Sequence, residues 1–139
     1  MTPQARLKRL ERLLAMRQAV AESARRRFAQ SVGTAADAAA RVQRVGSLVA
    51  STQTGRTSAS ALCAAAQLRA MLREVEVIAR QRLEVSVAER RAAERQLAIA
   101  SARAERVAER TIAARMLAAR SVEQRHEDAA PVTRRRNRG

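Results

Sequence analysis

The side chains best suited to catalysis or metal binding are few in this sequence and lie far apart. The chain has one histidine, His126, and one cysteine, Cys63. A zinc site needs more histidine or cysteine ligands than these two provide. Lys8 is the only lysine and no glycine precedes it, so the Gly-x-x-x-x-Gly-Lys loop that cradles nucleotide phosphates is absent. We therefore expect no catalytic residue, no cofactor and no metal site.

His126 and Cys63 both have ordinary structural explanations. His126 stands between Glu123 and Glu127 near the end of a helical pattern, where a cationic side chain interacts favourably with the helix dipole. Cys63 reads as a small helix residue close to a turn. A single cysteine excludes an internal disulfide, which is typical of proteins in a reducing cytoplasm.

Arginine is the functional group that the chain has in excess. The 28 Lys and Arg residues outnumber the 13 Asp and Glu residues, which gives a formal net charge of +15. Helix-spaced pairs such as Glu76 and Arg80 balance much of the charge in the second half of the chain. The first half, with Arg25 to Arg27 in a row, has no such balance and predicts a surface for an acidic partner. A basic tail adds Arg134, Arg135, Arg136 and Arg138.

An apolar residue at every seventh position predicts the element that carries these arginines. In a chain that is 47% apolar, seven such matches in any one of seven frames arise by chance about 4% of the time. A second column three residues further on, from Leu10 to Val45, is mostly apolar too, as in a coiled coil. The first column is Leu7, Leu14, Ala21, Phe28, Ala35, Val42 and Val49.

The stretch 51–60 is rich in hydroxyl side chains and contains Gly55, which predicts a turn. We expect a first helix over about 3–50, a second over about 60–128 that Pro131 stops, and a disordered basic tail over 129–139. The prediction is a single all-α domain, an antiparallel two-helix coiled-coil hairpin forming a long rod, with helix two longer than helix one. The expected seam residues are Leu7, Leu10, Leu14, Phe28, Val42, Val45, Val49, Leu68, Leu72, Val75, Leu83, Leu97 and Val107.

Folding the chain about Gly55 pairs residue x with about residue 110 minus x, so that Leu7 meets the region of Arg103. Some 20 residues of helix two then overhang at the end that carries the termini. The spacing of the second stripe predicts a stutter between Ala79 and Ser86. A break at Gly33, which would give a three-helix bundle, is the structural alternative; the unchanged frame across Gly33 favours one continuous helix.

The layout resembles the flagellar export protein FliJ and its YscO-like injectisome counterparts, which are small antiparallel coiled coils. Residues 6–22, Arg-Leu-Lys-Arg-Leu-Glu-Arg-Leu-Leu-Ala-Met-Arg-Gln-Ala-Val-Ala-Glu, look like the basic, leucine-rich opening of that family. Residues 105–115, Glu-Arg-Val-Ala-Glu-Arg-Thr-Ile-Ala-Ala-Arg, look like its charged closing helix.

The resemblance implies a non-enzymatic stalk in a type III protein export apparatus. In that family the paired terminal ends enter the ring of the hexameric export ATPase FliI, and the hairpin also contacts the export gate protein FlhA. Family members use aromatic residues for the gate contact, but this chain has no tyrosine and only Phe28. The residues nominated for the ATPase contact are Arg6, Arg9, Arg12, Arg17, Arg103, Arg106 and Arg110.

Two other functions fit the sequence. One is a structural coiled-coil adaptor that dimerises through the stripe from Leu7 to Val49. The other is a basic protein that binds nucleic acid or an anionic membrane surface, although aromatic platforms and known nucleic-acid motifs are missing. The sequence has no run of 18 apolar residues and no secretory signal, so we expect a cytoplasmic protein. The resemblance implies that this protein is peripheral at the cytoplasmic face of the inner membrane, through the export apparatus.

Overall fold

A computed structural model describes residues 1–52 and 58–130. In this part of the chain there are two helices and no strand: α1 spans Pro3–Ser51 with 49 residues, and α2 spans Ala59–Ala129 with 71 residues. The predicted all-α hairpin with a longer second helix is confirmed. The expected turn at Gly55, Arg56, the stop at Pro131 and the tail arginines lie outside the described residues.

Local hydrogen bonds account for where the helices begin. The Thr2 hydroxyl oxygen accepts a hydrogen bond from the Ala5 amide at 3.2 Å, which is the N-cap geometry, and Pro3 occupies the first helical position. Ser58 directly precedes α2, and its carbonyl oxygen accepts the first helical bond from the Leu62 amide at 3.0 Å. Each helix therefore starts at a residue type that favours a helix start.

α1 is continuous through both of its glycines. A methyl group built on Gly33 or Gly46 would meet no atom within 4 Å, and neither residue has the left-handed backbone that favours glycine. The structural alternative of a break at Gly33 is therefore wrong, because the chain remains helical from Pro3 to Ser51.

The chain packs as two compact units, each containing a piece of both helices. Unit 1 comprises Met1–Ala21 and Ala100–Gly139, and unit 2 comprises Glu22–Ile99. In unit 2 the buried residues are small: Ala35 and Ala38 from α1, and Ser86 from α2. Such residues leave little side-chain volume between two helices, so the helix backbones can approach closely.

The register within each unit differs from the prediction. In unit 2, Ala38 lines a groove with Ser86, and Val45 lines the adjoining groove with Ala79. These neighbours pair residue x with about residue 124 minus x. In unit 1, Glu11 contacts Arg115, whereas the predicted register would place it near residue 99. The pairing of Leu7 with Arg103 and the 20-residue overhang at the termini are therefore wrong.

With the observed register, the part of α2 that has no α1 residue beside it differs from the predicted part. In unit 2, Ser51 ends α1 at about the level of Arg73, while α2 begins at Ala59. The first 14 or so residues of α2, roughly 20 Å of helix, thus extend past the end of α1. Part of the excess length of α2 lies at this end of unit 2.

Unit 1 holds most of the fully buried positions. Thr111 is only 1% exposed, and its hydroxyl donates a hydrogen bond to the Val107 carbonyl oxygen at 2.8 Å, which satisfies the buried polar group. Its buried apolar residues are Ala21, Ala100, Val107, Ala114 and Ala118.

Two expected seam residues lie outside the seam. Leu68 and Val75 are each 48% exposed, while the neighbouring Arg69 and Glu76 are half-buried in their place. The covered positions of α2 run in an unbroken alternation of three- and four-residue steps from Ala65 to Ala118, so the predicted stutter is absent. The covered positions thus follow one frame even where a charged residue occupies it.

The other expected seam residues are at least half-buried. In α1 both columns of the frame are covered along their length, from Leu7 to Val49. In α2, Val107 is buried, and the half-buried residues are Leu72, Leu83 and Leu97.

Candidate partner-binding surface

The seven nominated arginines all lie in unit 1. Arg6, Arg9 and Arg12 are exposed on α1, and Arg17 is half-buried at a seam position. Residues three apart on a helix are neighbours, so the first three form one continuous strip of guanidinium groups beside the seam. On α2, the exposed members are Arg103, Arg106 and Arg110.

The strip of Arg6, Arg9 and Arg12 keeps its positive charge because its one local carboxylate is engaged elsewhere. Glu11 is the only acidic residue of Met1–Ala21. Its Oε1 accepts hydrogen bonds from Nε and Nη2 of Arg115 on α2, both at 3.4 Å. None of the three arginines makes an ion pair with a described residue. The strip is therefore available to an acidic surface.

The register places different arginines of α2 beside this strip. Because Glu11 contacts Arg115, residues near 115–120 of α2 lie at the level of the strip, and Arg120 is exposed there. Arg103 lies 12 residues from Arg115, roughly 18 Å along the helix. The arginines of α2 at the level of the strip are thus Arg115 and Arg120, which the sequence analysis did not nominate, since an apolar repeat alone carries no signal for helix register.

The expectation that the Arg25 to Arg27 run lacks internal balance is wrong in part. In unit 2, Glu22 forms ion pairs with Arg25 at 3.0 Å and with Arg26 at 3.9 Å. Arg27 makes no ion pair with a described residue. Net positive charge therefore remains on α1 in both units: residues 3–21 carry five basic residues and one acidic residue, and residues 22–51 carry five and two. On α2 the predicted pair of Glu76 and Arg80 forms, at 2.6 Å.

Other chemistry in the described residues is limited. Within residues 1–52 and 58–130, no group of three or more His, Cys, Asp or Glu side chains is arranged to hold a metal ion. Cys63 and His126 are both exposed. Neither α1 nor α2 combines the length and the apolarity that crossing a membrane requires.

We compared the chain with models of protein families, with curated proteins and with solved structures, and none of the three comparisons gave a match.

Proposed function

We propose that the protein is a non-enzymatic component of the flagellar type III protein export apparatus. It acts as a central stalk and regulator of a hexameric FliI-like export ATPase and couples that ATPase to a FlhA-like export gate. The proposal starts from the resemblance of residues 6–22 and 105–115 to the FliJ and YscO-like family. A two-helix hairpin without strands in its described part is compatible with a stalk.

The observation that supports the proposal best is the unpaired cationic strip of unit 1. A single chain inside a six-fold ring cannot match the symmetry of the ring, so it must rely on contacts that tolerate several orientations. Exposed arginine side chains, which are long, meet that requirement. Charge attraction acts over about 10 Å and does not depend on one geometry. Arg6, Arg9 and Arg12 are exposed and have no partner within the described chain.

The test is the ATPase activity of the cognate ring. We expect the full chain to stimulate ATP hydrolysis by the export ATPase of the same organism, assembled as a hexamer. The triple substitution Arg6→Glu, Arg9→Glu and Arg12→Glu reverses the charge of all three exposed side chains of the strip. We expect this variant to need about tenfold more protein for half-maximal stimulation.

A matched control keeps the change in net charge constant. Arg27, Arg91 and Arg95 are also exposed and make no ion pair with a described residue, but they lie in unit 2. Reversal of these three to Glu should leave stimulation unchanged. Equal loss in both triple variants would assign the effect to net charge alone. No stimulation by the unmodified chain would refute the stalk function.

The contact with the export gate cannot use the aromatic residues of the family. The chain has no tyrosine or tryptophan, and Phe28 is half-buried in the seam of unit 2. The gate contact would therefore depend on aliphatic or charged side chains. The corresponding location is the cytoplasmic face of the inner membrane, reached through partners of the apparatus. Fractionation of cells with and without the export gate tests this location.

The basic-binder alternative predicts a different response. Affinity for RNA or anionic vesicles would fall steeply with salt, because binding releases counterions from phosphates. High affinity for either at low salt, together with no effect on the ATPase ring, would favour that function over the stalk.

A further inference from the structure

Unit 2 contains a groove between its two helices that is lined largely by apolar residues. Ala38 and Val45 line it on the α1 side, and Val75, Ile78 and Ala79 line it on the α2 side. Its volume is about 260 Å³. Sites that enclose a small molecule are usually larger, at about 300–1,000 Å³. The groove is therefore suited to receiving a few aliphatic side chains of a partner rather than to enclosing a whole ligand.

Three arginines also line this groove, and no Asp or Glu of the described residues does so. Arg41 and Arg44 belong to α1 and Arg82 belongs to α2, so positive charge lies on both sides of the groove. All three side chains are exposed, and none makes an ion pair with a described residue. Asp37 and Glu89 line the adjoining groove, and they form no ion pair with a described residue either. The three guanidinium groups are thus available to carboxylates from outside.

The combination of an apolar lining and unpaired arginines distinguishes between possible occupants. A second copy of the chain would bring a net charge of +15 towards the arginines. Inorganic phosphate would pair with the arginines but would gain nothing from the aliphatic surface. Nucleic acid would find no aromatic ring in the lining on which a base could stack. A helix with an apolar face and flanking carboxylates gains from both features, because its apolar side chains are buried while its carboxylates form charge-assisted hydrogen bonds.

We propose that this groove, here called the arginine groove, docks an acidic amphipathic helix of a partner protein. A third helix lying along two packed helices places residues spaced by three and four into the groove between them. Val75 and Arg82 both line the groove and lie seven residues apart on α2, which is about 10 Å or two turns. The partner helix therefore needs at least two turns, with Glu or Asp on both sides of its apolar face. The arginine groove goes beyond the stalk function and does not depend on it.

The probe is a synthetic helical peptide of three heptads, with leucine at positions a and d and glutamate at positions e and g. Isothermal titration calorimetry of the full chain with this peptide, in about 150 mM NaCl, measures the affinity. The matched control peptide has glutamine in place of glutamate and should bind at least about tenfold more weakly. Absence of binding at glutamate-peptide concentrations up to about 1 mM would overturn the proposal, and so would equal affinity for the two peptides.

Two double variants of the chain test where the peptide binds. Arg41→Glu with Arg82→Glu reverses charge on both sides of the arginine groove and should weaken binding at least about tenfold. The control is Arg91→Glu with Arg95→Glu, which changes the net charge equally. Both control residues are exposed residues of unit 2 that do not line the groove. Equal losses in the two variants would assign binding to net charge and overturn the proposal.

A single substitution tests the apolar lining. Ile78→Ser removes aliphatic surface from the arginine groove and should weaken peptide binding about three- to tenfold. Ile112→Ser is the control, because Ile112 has an exposed fraction comparable to that of Ile78 (57% against 48%) but lies in unit 1. Unchanged affinity in Ile78→Ser would show that charge alone holds the peptide, which would refute docking of an apolar helix face.

Nucleic acid and membranes are covered by two parallel titrations, one with single-stranded RNA of about 20 nucleotides and one with phosphatidylglycerol vesicles. We expect both to bind more weakly than the glutamate peptide. Tighter binding of either, lost in the variant Arg41→Glu with Arg82→Glu, would assign the groove to that ligand instead and overturn the proposal.

The arginine groove and the stalk function fail separately, because the groove lies in unit 2 and the strip of Arg6, Arg9 and Arg12 lies in unit 1. Reversal of the strip should reduce ATPase stimulation and leave peptide affinity within about twofold. Arg41→Glu with Arg82→Glu should do the opposite.

Discussion

Replacing the two glycines of α1 with alanine should stabilise the protein. Glycine in a helix interior costs about 0.5–1 kcal/mol relative to alanine, mainly through the backbone entropy of the unfolded chain. Gly33 and Gly46 both lie within α1, and a methyl group at either position would have open space around it. No contact therefore offsets the gain. We expect about 0.5–1 kcal/mol from each substitution and about 1–2 kcal/mol from both.

Thermal and urea denaturation followed by circular dichroism at 222 nm measures this effect. For a chain of this size, about 1 kcal/mol corresponds to a rise in Tm of roughly 3–5 °C. Ala36→Gly is the matched control, because Ala36 is an exposed residue of the same helix and should show an equal loss. If Gly33→Ala lowered the Tm, residue 33 would need a backbone that alanine disfavours, and the continuous helix would be refuted.

Two further substitution experiments test the packing of unit 1. Thr111→Leu should destabilise the protein by about 1–3 kcal/mol, because this site is 1% exposed, so a larger side chain must displace its neighbours. Ile112→Leu, at the exposed neighbouring position, should change stability by less than about 0.5 kcal/mol, and equal effects at both sites would contradict the observed seam. A double-mutant cycle with Glu11→Gln and Arg115→Gln should give a coupling of about 0.2–1 kcal/mol, since both side chains are about half exposed (44% and 60%). A coupling of zero would show that the two side chains do not interact in solution, and a coupling that persists in 1 M NaCl would show that their contact is not an ion pair.

The sequence was sufficient to predict the helices and the covered face of α1. The heptad columns from Leu7 to Val49 are all at least half-buried, and Thr2, Pro3 and Ser58 stand at the helix starts. Apolar periodicity and capping chemistry act within a few turns of helix, so they can be read locally. At Leu68 and Val75 the same reasoning failed, because Arg69 and Glu76 occupy the covered frame while the apolar residue before each of them is exposed.

The sequence could not predict which turn of α1 faces which turn of α2. The observed pairing differs from the predicted one by about 14 residues, or two heptads, so both pairings present the same faces to each other. Only unequal side chains along the seam distinguish such registers. Here the buried residues are mostly alanine, and one alanine is a poor marker among many. For this reason the cationic strip at Arg6, Arg9 and Arg12 was recognisable from sequence, while its neighbours Arg115 and Arg120 were not.

The buried alanines of the seam also limit which substitutions the gene can accept. A single-nucleotide change in an alanine codon gives Val, Thr, Ser, Pro, Gly, Asp or Glu. At buried positions such as Ala35, Ala100 and Ala114, each of these adds volume, introduces a polar group or lowers helix propensity. A core of large residues can often lose a methyl group and persist, but this one has nothing left to remove. A deep mutational scan should therefore find the buried alanines among the positions that tolerate substitution least, while neighbouring exposed alanines accept most of the same changes.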